Sequence, residues 1–135
     1  MRARSLLRRW RDDRGGATAI EYALVLPAFA MLLLGVINTS QLASVASGMH
    51  FAVQEAARCS AVNEVACGSP EATIAFARGR YVGPAVDPEF ASNTDGCGHT
   101  VRATATFELN VAIMTFDVPL SAEACYPGRD LDEEA

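Results

Sequence analysis

The sequence has no lysine and few of the residue patterns that enzymes use. All eleven basic residues are arginine, there are two histidines, and no glycine-rich phosphate loop or nucleophile elbow is present. Cys97 and His99 lie close together, but no CxxC or HxxxH pattern supplies the further ligands of a metal site. We therefore expect no enzymatic activity, no cofactor and no metal, and we expect the cysteines to form structural disulfide bonds.

Basic residues are also scarce beyond the N-terminus. Residues 1–16 carry six arginines and two aspartates, whereas residues 17–135 carry five arginines and fourteen acidic residues. Residues 17–135 therefore carry a net negative charge and offer no basic patch that could bind nucleic acid. A basic segment directly before an apolar one is typical of a cytoplasmic N-terminus. We therefore predict a basic cytoplasmic leader over residues 1–16 and place the rest of the chain across the membrane.

The apolar run Tyr22–Ile37 contains no charged residue. With its flanking residues it supplies the roughly 20 residues needed to cross the hydrocarbon layer, so we predict a transmembrane helix over about residues 18–40. Pro27 removes a backbone donor and is expected to kink this helix. Ser44–Ala46 resembles a signal-peptidase site, but a cut there would discard half of a well-patterned helix.

A helical pattern continues beyond the bilayer, and it predicts one helix from about Thr18 to Arg58 within a region of residues 17–58. At 1.5 Å per residue such a helix would reach roughly 60 Å, twice the hydrocarbon thickness. Its outer half therefore needs a partner for its apolar stripe, either the chain's own C-terminal part or another subunit. Phe51 breaks the stripe, whose members follow helical spacing: Leu42, Val45, Ala46, Met49, Ala52, Val53 and Ala56.

The remaining residues, 59–135, predict a small extracytoplasmic head that is too short to bury a large core. All four cysteines lie in this part, as expected for an oxidising compartment. Four cysteines allow three connectivities. We favour the sequence-local pairing of Cys59 with Cys67 and of Cys97 with Cys125.

The first part of the head is predicted as one short helix between two loops. Cys59–Pro70 is predicted as a loop, and Pro70–Tyr81 as a short helix with Ser69 as its N-cap. Residues 83–98 are rich in glycine, proline, aspartate and asparagine and are predicted as a surface loop. Within it, Asp87, Glu89 and Asp95 favour a solvated acidic loop over a calcium site.

Thr100–Val111 alternates apolar and polar residues, which predicts a half-buried antiparallel strand. A second strand is predicted within Phe116–Tyr126, where Pro119 would place it at a sheet edge or delay its start. The final residues, 127–135, predict a disordered acidic tail. The expected fold class is α+β, with a long N-terminal helix followed by a disulfide-stabilised head of one short helix and a hairpin or small sheet.

One acidic residue, Glu21, lies inside the apolar segment, where a charge is costly. A cut after Gly16 would make Ala17 the new N-terminus and Glu21 the fifth residue. The amine and the carboxylate would then pair, within one chain or between neighbours, which removes the cost of burying either charge alone. This spacing resembles the class III (type IV-like) prepilin signal. The Glu21-Tyr22 pair resembles the Flp or tight-adherence (Tad) subclass.

The continuation Ala23–Ile37, with its Leu-Pro pair and late glycine, is similar to TadE-like pseudopilins. One departure is the polar segment Asn38–Gln41, where members of that family often keep an acidic and an aromatic residue. The resemblance implies a minor pilin that is cut by a membrane prepilin peptidase after Gly16 and takes part in assembling an adhesive pilus. Its implied partners are the bilayer, the peptidase, other pilin and pseudopilin subunits and the Tad secretion machinery.

The resemblance assigns roles to residues of the helix. Gly16 and Ala17 would flank the processed bond, and Glu21 with Tyr22 would serve assembly. The implied location is the inner membrane, with a cytoplasmic N-terminus, the head in the periplasm or cell exterior, and incorporation into a pilus as a further possibility. The alternative is a single-pass, signal-anchored envelope protein of unrelated role, in which Glu21 is an interfacial acid.

Overall fold

The computed structural model describes residues 15–84, 86–111 and 114–128 of the 135-residue chain. Within them the chain forms three helices and then three strands: α1 (Gly15–Val62), α2 (Glu64–Cys67), α3 (Pro70–Arg80), β1 (Glu89–Asp95), β2 (Gly98–Val111) and β3 (Met114–Tyr126). The chain divides into two compact units between Ile37 and Asn38, inside α1. The predicted leader and acidic tail lie largely outside the described residues.

The first unit holds the N-terminal part of α1. Its residues from Gly15 to Ile37 extend about 35 Å at 1.5 Å per residue, slightly more than the hydrocarbon thickness. The large apolar side chains between Ile20 and Ile37 are exposed, several by more than 60 %. This helix is long and apolar enough to cross a membrane. These properties indicate single-pass membrane anchoring.

The prediction of a loop over Cys59–Pro70 is wrong for most of its length. Helix α1 continues to Val62 and is followed at once by the short helix α2. The junction is stabilised by Asn63, whose side-chain Oδ1 accepts a hydrogen bond from the Ala66 N–H at 3.1 Å. An asparagine in this N-cap position satisfies a donor that a new helix would otherwise leave free. Gly68 and Pro70, at the end of the segment, are typical of a loop and led to the prediction of a longer non-helical stretch.

Helix α3 (Pro70–Arg80) has the predicted start. The Ser69 hydroxyl accepts a hydrogen bond from the Ala72 N–H at 3.2 Å, and Pro70 occupies the first turn. The helix ends at Arg80, one residue before the predicted boundary. Thr73 is buried on its inner side and donates a hydrogen bond to the carbonyl oxygen of Cys67 at 3.1 Å. This bond ties α3 to the end of α2.

The three strands form one antiparallel sheet in the order β1-β2-β3. The alternation predicted for β2 is confirmed, because Val101, Ala103 and Phe107 are buried while the polar residues between them are exposed. Pro119 lies in β3, which is an edge strand, as predicted. An edge strand tolerates proline because one row of its backbone groups needs no ladder partner.

Strand β1 corrects the prediction that residues 83–98 form only a surface loop. It pairs with β2 from Glu89 opposite Thr104 to Asp95 opposite Gly98. Phe90 is its one large apolar residue and is buried against the core. A strand with a single apolar anchor lacks the alternation that identifies strands in sequence. Here the ladder with β2 overrides a loop-like composition.

The core of the second unit lies between the outer part of α1 and the sheet. The predicted stripe of α1 is confirmed there, with Leu42 and Ala46 partly buried and Phe51 exposed. Its partner is therefore the chain's own sheet, which resolves the choice left open by the sequence. The fully or nearly fully buried core residues are Val45, Met49, Ala52, Val53, Ala56, Ala57, Ala77, Phe90, Val101, Ala103, Phe107 and Ala122.

Two disulfide bonds close the head, with the pairing favoured from the sequence. The helix disulfide joins Cys59 of α1 to Cys67 of α2, with the two Cα atoms 5.8 Å apart. The sheet disulfide joins Cys97, in the turn before β2, to Cys125 near the end of β3, with a Cα separation of 6.4 Å.

Candidate processing and assembly site

The predicted processing bond, between Gly16 and Ala17, lies in the first turn of α1. The first four N–H groups of a helix have no intrahelical partner, so this turn is the part of the helix that opens at least cost. Gly15 and Gly16 lower that cost further, because glycine destabilises a helix by about 1 kcal/mol relative to alanine. Gly16 is exposed, and a Cβ built on it would meet no atom within 4 Å. A protease would therefore meet no packed side chain beside Gly16.

Glu21 lies four residues after Ala17 on the same helix. Residues four apart lie on one helix face, with their Cβ atoms about 5–6 Å apart. A new α-amine on Ala17 would therefore lie on the same face as the Glu21 carboxylate, one turn away. Glu21 is exposed in the chain as described, and so is Tyr22, at 73 %. Both side chains are accessible to a neighbouring molecule.

Pro27 lies inside α1 and does not interrupt it. Proline has no N–H, so the Ala23 carbonyl lacks its usual donor four residues on. The expected kink stays a prediction. Pro27 is exposed.

The acidic residues considered for a calcium site do not come together. Glu89 and Asp95 stand at opposite ends of β1, about 20 Å apart at 3.4 Å per residue. Asp95 instead accepts a hydrogen bond from the Cys97 N–H at 3.1 Å and shapes the turn between β1 and β2. Among residues 15–84, 86–111 and 114–128, no group of three His, Cys, Asp or Glu side chains is arranged to hold a metal ion.

His99 borders an open groove of about 790 Å³ beside the helix disulfide. The groove is lined largely by polar residues from the ends of α1, α2, β1 and β2, including Ser60, Asn63 and Asn93. The neighbouring Cys97 forms the sheet disulfide, so its sulfur is not available as a metal ligand. Among the described residues that line it, this groove offers His99 no second histidine and no free thiolate.

Two contacts of the second unit had no sequence signal. The Asn38 side chain donates a hydrogen bond to the Asn110 carbonyl oxygen at 3.2 Å, across 72 positions of sequence. Gly48 of α1 lies so close to the segment after α3 that a Cβ on it would be 2.9 Å from the Val82 carbonyl oxygen. Both depend on how the head folds back on α1, which residue spacing does not encode.

Comparison with known proteins bears on the helix that carries these residues. Residues 16–58 match the family model of TadE-like proteins. No curated protein and no solved structure matches the chain. The TadE-like match confirms the predicted resemblance over nearly the whole of α1 and starts at Gly16, beside the predicted processing bond. The match covers residues 16–58, fewer than half of the 135 residues, and it suggests involvement in the Tad pilus system.

Proposed function

We propose that this chain is a minor pilin, or pseudopilin, that is made as a membrane-anchored precursor and takes part in assembling an adhesive Tad pilus. The observation that carries the proposal is the placement of Glu21 one helical turn after a bond flanked by Gly16 and Ala17. That bond also marks the start of the TadE-like match. The exposed apolar helix around these residues suits both a bilayer and the core of a filament, because both surround the helix with apolar groups.

Processing by a prepilin peptidase is the first step. The basic leader holds the bond at the cytoplasmic face of the inner membrane, where the peptidase would cut it. Peptidases bind extended backbone, so the first turn of α1 must unwind for the cut. Its two glycines and unpaired N–H groups lower the energy needed to unwind it. Hydrolysis releases the arginine-rich leader and leaves a positive α-amine on Ala17.

Glu21 then acts in assembly. A charged carboxylate at the centre of a membrane helix costs about 2.5–3.5 kcal/mol on insertion scales, and less near the interface. Pairing with the amine of Ala17, in the same chain or in a neighbour, removes much of that cost when the helix passes from bilayer to filament. Tyr22 lies beside Glu21 and presents an exposed aromatic ring to the same neighbours.

The head would lie in the periplasm or at the cell exterior, where its two disulfide bonds are stable. Its partners would be other pilin and pseudopilin subunits and the Tad secretion machinery. A single-pass envelope anchor of unrelated role is the alternative. Such an anchor needs neither a cut after Gly16 nor an acidic residue at the fifth mature position.

Two measurements test the proposal. N-terminal sequencing of the mature protein should find Ala17, whereas an intact Met1 would favour the plain anchor. The Glu21→Ala variant should be processed, keep a folded head and fail to enter pili. Glu21→Gln is the matched control for charge, because it keeps the side-chain size and should fail in the same way. Normal piliation with either variant would contradict the role of Glu21.

A further inference from the structure

The chain leaves β3 in the direction of β1, the strand at the opposite edge of the sheet. Tyr126, the last residue of β3, pairs with His99 of β2, which in turn pairs with Thr94 of β1. A Cβ built on Gly98 would be 2.5 Å from the Tyr126 carbonyl oxygen and 2.7 Å from the Gly128 nitrogen. The chain therefore passes over the first residue of β2. Gly128 then lines, together with Thr94, the open groove of about 790 Å³ beside the helix disulfide.

The groove runs along the free edge of β1. Asp95 and Gly98 flank a two-residue turn and pair directly, so they exchange both hydrogen bonds of the ladder. Because such pairs alternate along antiparallel strands, Ser92 and Thr94 direct their backbone N–H and C=O groups away from β2. Both residues line the groove, and no backbone hydrogen bond from another described residue reaches these groups. The groove thus presents a row of unpaired backbone donors and acceptors.

The two edges of the sheet differ in how they are protected. A free edge is a template for pairing with other chains, and proteins interrupt it with proline or charge, or cover it. Strand β3 carries Pro119 near its middle, which removes one donor from that edge. Strand β1, with the sequence EFASNTD, contains no proline. The edge of β1 is therefore the one that needs a cover.

The next residues of the chain, 129–135, start where they could provide that cover. A Cβ built on Gly128 would be 3.8 Å from the His99 ring, and His99 pairs with Thr94, so the chain enters the groove at the Thr94 end. Four extended residues reach about 13 Å, which is enough to run past both Thr94 and Ser92. A chain that runs from the Thr94 end towards Ser92 is antiparallel to β1.

The wall of the groove formed by α1 and α2 matches the alternation of this segment. It includes Val62, which is 49 % exposed, Val65, which is 99 % exposed, and the exposed Glu64. In an extended segment, Arg129 and Leu131 point to one side, and the aspartates that follow each of them point to the other. Leu131 can therefore cover the exposed valines and Arg129 can pair with Glu64, while the aspartates face solvent.

We infer that residues 129–132 form a fourth, antiparallel strand on the edge of β1, with Arg129 and Leu131 against the groove wall of α1 and α2. The chain's own C-terminal segment is thus the occupant of the groove. The contact closes the edge that lacks a proline and keeps two heads from pairing through it. The inference concerns the head alone and depends neither on membrane anchoring nor on the proposed pilus role.

Amide hydrogen exchange, followed residue by residue by nuclear magnetic resonance in dilute detergent micelles, tests the inference. The full chain is compared with a variant that ends at Gly128 and with Leu131→Ser in the full-length chain. Asp132→Asn is the matched control, because this side chain would face solvent. Two amides serve as internal references. The Asn93 amide faces β2, and by the same alternation the Ser121 amide faces outward from β3.

The Ser92 and Thr94 amides should exchange slowly in the full chain and at least about tenfold faster in the variant that ends at Gly128. L131S should also speed their exchange, whereas D132N should match the full chain. The Asn93 amide should stay slow in every variant, which shows that the sheet is folded, and the Ser121 amide should stay fast. L131S keeps the test decisive if the shortened chain does not fold.

Three results would overturn the inference. Exchange of the β1-edge amides that is equal with and without residues 129–135, whether slow or fast, would show that this segment does not cover the edge. Slow exchange that is lost when the full chain is diluted would show that a second copy covers it instead. Unchanged exchange in L131S would contradict the placement of Leu131 against the exposed valines.

Discussion

The same substitution, glycine to alanine, should have opposite effects at two helical positions of this protein. Gly79 lies in α3, and a Cβ built on it meets no atom within 4 Å. Gly79→Ala should therefore stabilise the head by about 0.5–1 kcal/mol, because alanine loses less backbone entropy in a helix. Gly48 lies in α1, and replacing it by alanine should stabilise the helix by the same amount. At this position, however, the added methyl group has no free space.

A Cβ on Gly48 would be 2.9 Å from the Val82 carbonyl oxygen and 3.2 Å from Cε2 of Tyr81. The first distance is shorter than a normal contact and involves backbone, so the segment after α3 must move. Overpacking of this kind costs about 1–3 kcal/mol. Subtracting the gain from replacing a helical glycine, at the middle of each range, leaves Gly48→Ala destabilised by about 1 kcal/mol.

Urea unfolding of the full chain in detergent micelles, followed by near-ultraviolet circular dichroism under oxidising conditions, would measure both changes. The midpoint should rise for G79A and fall for G48A, with an unchanged slope for each. Equal stabilisation by both variants would refute the reasoning. It would mean that Val82 and Tyr81 pack loosely on α1 and that the approach of this segment does not depend on glycine.

Two further predictions concern the turn before β2 and the disulfide bonds. Gly98 has a φ of +126°, and a Cβ on it would meet the Tyr126 carbonyl oxygen. Gly98→Ala should therefore lower the unfolding free energy by about 2–3 kcal/mol in the same urea assay. Gly96→Ala is the control and should change the unfolding free energy little, because the space around Gly96 is open. Replacing both cysteines of the sheet disulfide by alanine should cost about 3.5 kcal/mol, against about 2.5 kcal/mol for the helix disulfide, because the closed loops differ in length. The sequence separations are 28 and 8 residues, and equal losses in thermal unfolding would contradict this loop-entropy argument.

The elements that could be predicted from the sequence are those with a strong local signal. Val101, Ala103 and Phe107 alternate with polar residues, and the ladder of β2 places them on one buried face. Ser69 and Pro70 carry the capping chemistry of a helix start, and α3 begins there. The signal for β2 is an alternation with the period of a strand, and the signal for α3 is a pair of capping residues. Each signal lies in neighbouring residues, which alone specify the element.

The elements that could not be predicted depend on distant partners. Strand β1 has one apolar anchor, Phe90, and forms because β2 offers a free edge to pair with. The turn from α1 into α2 depends on one asparagine, Asn63, which caps a helix too short to show periodicity. The candidate processing site differs from both cases. The roles of Gly16, Ala17 and Glu21 follow from their spacing together with the resemblance to prepilin signals, and these roles stay predictions.

The sequence by itself therefore determined the membrane-anchoring helix, the position of its one acidic residue and the apolar stripe that continues beyond the bilayer. These features arise from residue spacing along one helix, which needs no tertiary contact. Only the tertiary structure decided what covers that stripe and where the hairpin ends. The hydrogen bond from Asn38 to Asn110 spans 72 positions of sequence, and no local pattern encodes a contact of that separation.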